Sequence, residues 1–400
     1  MRSRLSQQLR GAVNRQRLLD TATRLIAVPS PTGEAGAVAD CLTDLLRADG
    51  FTVERPPGGH PAAPAVVVRL GVAKPGRTLQ FDGHLDTVHL PFVPPQVDGG
   101  HLTGSGASDM KGGVAAAVEA MRVLRDTTSL AAGSVLFTAH DLHEAPWGFG
   151  QQLDTLIRDG IVGDAVLLPE PLTDHLPIIG RGAATWKVII RRPGVPVHEV
   201  MRPPDEPSVL AAGAALVMRL GQLQRTLEYR TDALAGSESV FVGQFHGGEI
   251  YNQYPQKCWL EGTRRWLPGT GRAEVEREFR QLLDQLAAET GTTIDAEFRF
   301  IRDAFHLPQE DPLVSAFQSA YEAISGRKLP IGPKAFVDDG NSFSGARGIA
   351  AITHGPRAGG QHTVNEWVSI DDLERVAHLY ALTAALYCPA PLAISEVQMP

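Results

Sequence analysis

Thr78-Leu-Gln-Phe-Asp-Gly-His84-Leu-Asp86 is the stretch on which the reading of this chain turns. A short apolar run, Thr78–Phe81, has strand character, and a histidine and an acid follow close behind it. The pattern returns twice. Val135–Thr138 leads to His143-Glu144, and Ala165–Leu168 leads to Pro169-Glu170-Pro171. Ala65–Leu70 is one more strand candidate. Helical spacing lies between and before these runs, to Pro29, over residues 34–49 with Gly50 beyond the end, over Val114–Val123 and near Gln151–Arg158. Alternation of this kind predicts a mostly parallel sheet with helices on both faces, an α/β class. Ligand sites in such sheets lie beyond the C-terminal strand ends, which is where these histidines and acids fall.

Two further stretches carry the same residue types, Ser108-Asp109-Met-Lys-Gly-Gly and Gly359-Gly-Gln-His362-Thr-Val-Asn-Glu366. Together His84, Asp109, Glu144, Glu170 and His362 supply two imidazoles and three carboxylates. A pair of zinc-like ions needs that set, with one carboxylate shared and one histidine and one further carboxylate for each ion. Such a pair clamps a water and a polarised carbonyl oxygen, so the expected chemistry is hydrolysis. The expected cofactors are two divalent ions, zinc first, with cobalt or manganese also suited to these ligands.

Composition sets the outer bounds. Four hundred residues suit two domains better than one, and a net charge of −8 speaks against nucleic acid and anionic membrane surfaces. No apolar run approaches the length of a membrane span. The three cysteines, Cys41, Cys258 and Cys388, are far apart and fit a reducing, cytoplasmic setting. Met1–Arg17 holds five arginines and no acid, and reads as a basic lead-in to a first helix carrying Leu18, Leu19, Ala22, Leu25 and Ile26. No phosphate loop, dinucleotide fingerprint or serine-nucleophile elbow is present.

After Gly180 the texture changes. Strands are expected at Ala183–Arg192, Ser239–Phe245, Lys257–Trp266 and Thr293–Ile301, with helices at Glu206–Gln224 and Arg272–Thr290. That order is β-α-β-β-α-β, a ferredoxin-like arrangement. The chain therefore divides into 1–180, 181–301 and 302–400. In the last part Ser369 and Asp372 form a capping box ahead of a helix through Leu373, Val376, Ala377, Tyr380 and Ala384.

The five motifs, in this order, resemble the co-catalytic zinc peptidases and deacylases, a family that includes aminoacylase, acetylornithine deacetylase, succinyl-diaminopimelate desuccinylase and the glutamate-releasing carboxypeptidases. The resemblance runs from about Arg15 to Tyr387. It implies that Asp109 bridges two metals, that His84 and Glu170 hold one, and that Glu144 and His362 hold the other. Asp86 would orient the His84 imidazole. It implies a catalytic domain of residues 1–180 and 302–400. Residues 181–301 become an inserted lid that also makes a homodimer. His198, Asn252, Arg265 and Asn341 match positions that contact substrate, a small molecule bearing a carboxylate. One departure stands out. The family places two acids side by side at the third motif, the first as general base, and this chain has His143-Glu144. His143 thus falls on the base position, with His140 near enough to tune it.

The leading expectation is hydrolysis of the amide of an N-acyl amino acid or small peptide. Its rivals are attack on a less usual C–N bond, as in a deaminase, for which His143 would be suited, and a metal-binding relative without hydrolysis. His89, His101, His306, His354 and His378 are assigned no role.

Overall fold

The computed structural model describes residues 2–389. The chain forms two compact units. The first comprises the described parts of Met1–Ile178, Leu307–Ile331 and Ser342–Pro400, and the second comprises Ile179–His306 and Gly332–Asn341.

The first unit is built on a six-stranded sheet, in the order Val53–Glu54, Val66–Gly71, Ser134–His140, Thr78–His84, Ala165–Leu168, Ala350–Thr353. Thr78–His84 runs parallel to both neighbours, and Ala350–Thr353 runs parallel to Ala165–Leu168. The remaining two pairings, at the edge formed by Val66–Gly71 and Val53–Glu54, are antiparallel. The sheet is thus mostly parallel, as expected, with an antiparallel edge. A buried apolar run such as Val66–Val68 carries no mark of its direction. The arrangement matters for the site. Thr78–His84 is flanked by the strands that lead to His143-Glu144 on one side and to Glu170 on the other, so the three segments that carry the expected ligands leave the same sheet end side by side.

Helix Gly112–Thr127 is buried all the way round from Val114 to Leu124, and it packs on Ile370–Tyr387 and on Arg15–Ile26. Its run of Ala and Val lets helix and sheet approach closely. Ser369 caps Ile370–Tyr387 by accepting from the Asp372 amide. The basic N-terminal segment is more than a lead-in. Arg2–Ala12 is a helix in its own right, with Leu9 buried. Asn14 caps the next helix by accepting from the Arg17 amide, and the Arg17 guanidinium pairs with buried Glu119 at 2.8 Å. Arg15 and Arg17 thus serve pairing within the unit, Arg15 with Asp371 and Glu374.

The second unit is a four-stranded antiparallel sheet in the order Ser239–Gly247, Lys257–Trp266, Gly182–Arg191, Thr293–Arg302, with helices Val209–Leu227 and Arg272–Thr290. This is the ferredoxin-like order. Trp186, Val188, Ile190, Leu216, Leu260, Phe279 and Leu283 fill its core. The first of these helices starts later than its apolar pattern implies, because Ser208 caps it by accepting from the Ala211 amide. Residues 332–341 group with this unit for a visible reason. Arg302 pairs with Asp339 at 2.8 Å, Asn341 Nδ2 donates to the Asp303 carbonyl at 2.6 Å, and Lys334 lies over the Phe305 ring. Among the described residues no helix is long and apolar enough to cross a membrane.

Candidate metal centre

His84 ends its strand fully buried, in register with His140 on the neighbouring strand. Its Nδ1 lies 3.0 Å from the Asp86 carbonyl oxygen, which sets the ring so that Nε2 faces the sheet end. Nε2 lies 3.1 Å from Asp109 Oδ1 and 3.6 Å from Glu170 Oε1. The other Asp109 oxygen, Oδ2, lies 3.4 Å from Nε2 of His362, and that nitrogen is 3.2 Å from Glu144 Oε2. One carboxylate therefore turns its two oxygens to two different imidazoles, each with a second carboxylate beside it.

Local structure explains each position. Asp109 precedes helix Gly112–Thr127 but does not cap it, since that helix has no side-chain cap. The amides of Ser108 and Asp109 instead both donate to Glu366 Oε2 at 3.1 Å, leaving the Asp109 carboxylate free for the imidazoles. Asp86 is fully buried. Its carboxylate accepts from the amides of His143 (3.1 Å) and Glu144 (3.0 Å) and sits 3.6 Å from His84 Nδ1. The orienting bond to His84 thus comes chiefly from the Asp86 main chain, while its side chain fixes the His143-Glu144 turn. Glu170 is held by walls without side chains. A Cβ on Gly113 would lie 2.1 Å from the Pro169 carbonyl oxygen, and one on Gly355 would lie 2.3 Å from that of Glu170. His362 is the exception. Its side chain is 58 % exposed, and it stands at φ +58° in the loop after Gly360.

The charges are mutually dependent. Burial and the Asp109 charge push the Glu170 carboxyl up to about 7. Burial and the same charge push Glu366 up to about 7. Burial opposes charge on His84, but its hydrogen bonds to Asp109 and Glu170 outweigh this and hold the imidazole well above its ordinary range. Asp109 is held low despite its burial by His362 and His84. His362 is raised to about 10 by Asp109 and then Glu144. Buried carboxylates that repel one another, with imidazoles interleaved, are a donor set for multivalent cations. The ligand atoms of His84, Asp109 and Glu144 lie within 4.8 Å of one another, as do those of His84, His143 and Glu170. The donor set is that of a binuclear divalent-metal centre.

His143, half-buried, stacks face to face on His84, with ring centroids 4.0 Å apart and planes 2° apart. His140 is turned elsewhere, with Nε2 3.4 Å from buried Asp82. In the second unit, His198 and Asn252 come together, with Nε2 to Nδ2 3.2 Å. Arg265 is half-buried, and among the described residues its guanidinium has no hydrogen bond or ion pair. Burial and nearby Arg181 disfavour its charge. Asn341 is fully buried and ties the Asp303 carbonyl to the Asp338 amide. Sequence reasoning missed the clasp made by Glu366. The residue stands four places after His362 in the same motif, and that spacing was the available signal.

The model of the peptidase family M20/M25/M40 matches residues 81–386. A succinyl-diaminopimelate desuccinylase of Methylobacterium radiotolerans is 28 % identical over 391 residues, spanning 93 % of this chain and 97 % of its own. One from Gluconacetobacter diazotrophicus is 28 % identical over 396 residues, spanning 91 % and 95 %. Among solved structures, the aminopeptidase PepT of Bacillus cereus superposes with a TM-score of 0.79 at 22 % identity, over 94 % of this chain and all of that one. Human carnosine dipeptidase 1 does so with 0.70 at 15 %, over 96 % and 99 %.

Proposed function

The chain belongs to peptidase family M20/M25/M40, and from that premise we propose that it hydrolyses the amide of a small N-acyl amino acid or peptide carrying a free carboxylate. Metal-activated hydrolysis of a C–N bond is the chemistry of the centre, and the chain is a metal-dependent hydrolase. The observation that carries the assignment is the division of the Asp109 oxygens between His84 and His362. In this reading His84 and Glu170 hold one ion, Glu144 and His362 hold the other, and Asp109 serves both. The bound ions supply Lewis acidity to the scissile carbonyl and acidify a water.

The chain's own residues do the rest. Glu366 and Asp86 hold main-chain amides so that Asp109 and Glu144 keep their aim. His143 stands at the base position, beside His84, and takes the proton of the attacking water on a ring nitrogen before passing it to the leaving amine. Arg265 is the proposed partner of the substrate carboxylate, since a guanidinium without an acid partner suits that group. His198 and Asn252 are proposed as further substrate contacts. Asn341 is proposed likewise, and it also braces the loop beside Asp303. The two desuccinylase relatives favour an acyl group that brings a second carboxylate. The edge strand Ser239–Gly247, with Phe241 62 % exposed, supports a homodimer. Three free cysteines support a cytoplasmic site of action.

A second reading has its own observation. The ring of His143 lies within ligand reach of His84 and Glu170, and this reading makes it a ligand in place of a base. Metal-reconstituted protein should hydrolyse N-succinyl and N-acetyl amino acids, and absence of turnover across that panel and a set of dipeptides would remove the substrate proposal. His143→Ala separates the roles. A base variant keeps both ions and loses on the order of 10²–10⁴ in rate. A ligand variant loses an ion.

A further inference from the structure

Two aromatic side chains leave the centre's own loops and meet outside it. Trp147 follows Glu144 by three residues, and His89 follows His84 by five. Their rings stack with centroids 4.2 Å apart and planes 5° apart. The imidazole is tethered from behind, its Nε2 lying 3.0 Å from the Thr32 carbonyl oxygen. The indole remains 42 % exposed.

The turn that presents Trp147 is tightly closed. The amides of Trp147 and Gly148 both donate to the Glu144 carbonyl, at 3.1 and 2.6 Å, and the Gly150 amide donates to the Leu142 carbonyl at 2.7 Å. A Cβ on Gly148 would lie 2.3 Å from the Leu142 main chain, so the turn cannot loosen around a larger residue. An exposed tryptophan on a mobile loop would sample many orientations. This one is fixed by main-chain bonds to a proposed metal ligand and backed by a tethered ring. Leu90 and Phe92, on the His89 loop, add exposed apolar surface at 44 % and 40 %.

We propose that Trp147, backed by His89, is a specificity platform on which a planar ring of the substrate stacks while its amide occupies the metal centre. The inference rests on the amide-hydrolase reading above and adds the substrate's shape. A ring laid on a fixed indole loses little freedom and gains both buried area and offset stacking. A substrate with a methyl group in that place gains neither.

The test uses the metal-loaded protein and three compounds, N-acetyl-L-alanine, N-acetyl-L-phenylalanine and N-benzoyl-L-alanine. The last two carry the ring on opposite sides of the scissile bond. kcat/KM is measured for each, and Kd is measured by calorimetry on the same set. At least one ring compound should be preferred over N-acetyl-L-alanine by about tenfold. Trp147→Ala should abolish the preference, Trp147→Phe should retain most of it, and His89→Ala should fall between. All three variants should still bind two metal ions, which separates loss of the platform from loss of the fold. A wild-type protein with no ring preference in either kcat/KM or Kd overturns the proposal, as does a Trp147→Ala variant that keeps it. Preferential binding of a ring compound without hydrolysis, lost in Trp147→Ala, would uphold the platform while removing the N-acyl substrate reading.

Discussion

The two halves of the metal centre are built differently. The half around His84 and Glu170 is buried, set on two adjacent parallel strands and closed by glycines that admit no side chain between backbones. The half around Glu144 and His362 is closed by an exposed imidazole on a loop. Asp109 is common to both. The first half forms with the sheet. The second depends on where residues 360–366 lie. The difference predicts that the donor set grips its two ions unequally, because a site's rigidity is set by what lies behind its ligands.

The largest effect is expected where the halves join. Asp109→Ala should remove the shared ligand, so both ions should bind weakly. Loss of several kcal/mol of charge stabilisation should lower kcat/KM by about 10³-fold or more. Elemental analysis and steady-state rates check this, and a variant that retained two tight ions would break the comparison. Next come the glycine walls. Gly113→Ala and Gly355→Ala each force a methyl group against the carbonyls that hold Glu170. Each should weaken the buried ion by about 10–100-fold, the scale for losing a ligand's support, while leaving the open ion in place. Competition with a chelator of known affinity measures both.

A smaller effect lies behind the buried half. His354 follows strand Ala350–Thr353, its Nε2 near Arg375, with Gly355 next in the chain. Burial, and then Arg375, push its imidazole down to about 3, so it is neutral in the folded protein. An unfolded histidine titrates near 6.5. The folded pKa is depressed, so the contribution is complete above about pH 6.5 and is lost as pH falls toward 3. At pH 5 the loss is about 2 kcal/mol. Thermal unfolding at pH 7.5 and pH 5 should show a smaller difference in His354→Gln than in the wild type. Equal differences would mean that His354 titrates as an ordinary surface histidine.

The proposed strand-end ligands stood out in the sequence because type and placement coincide. An apolar run followed at once by His-Leu-Asp or Pro-Glu-Pro has few other uses, and the ferredoxin-like order could be followed element by element. What escaped was held by the main chain or by distance. Glu366 acts on two amides, and any residue can offer an amide, so no partner stands out in the sequence. The tightness at Gly113 and Gly355 arises between segments far apart in the chain. The direction of Val66–Gly71 is set by a pairing that its apolar residues do not encode. The Arg2–Ala12 helix was hidden because its few apolar residues, Leu5, Leu9 and Ala12 among them, stand in a run of arginine, serine and glutamine that reads equally well as an exposed leader. His89 and Trp147 acquire meaning only as a stacked pair. The departure at His143 was visible at once, but its closeness to His84 and Glu170 required the fold.

Unequal halves around one shared carboxylate can be tested directly by titrating metal-free wild-type and His362→Ala protein with Zn²⁺ in a calorimeter. The wild type should bind two equivalents with separable affinities. His362→Ala should keep the tighter equivalent nearly unchanged and lose the weaker one. A single equivalent in the wild type, or loss of both ions in His362→Ala, would contradict a buried half that stands without the loop.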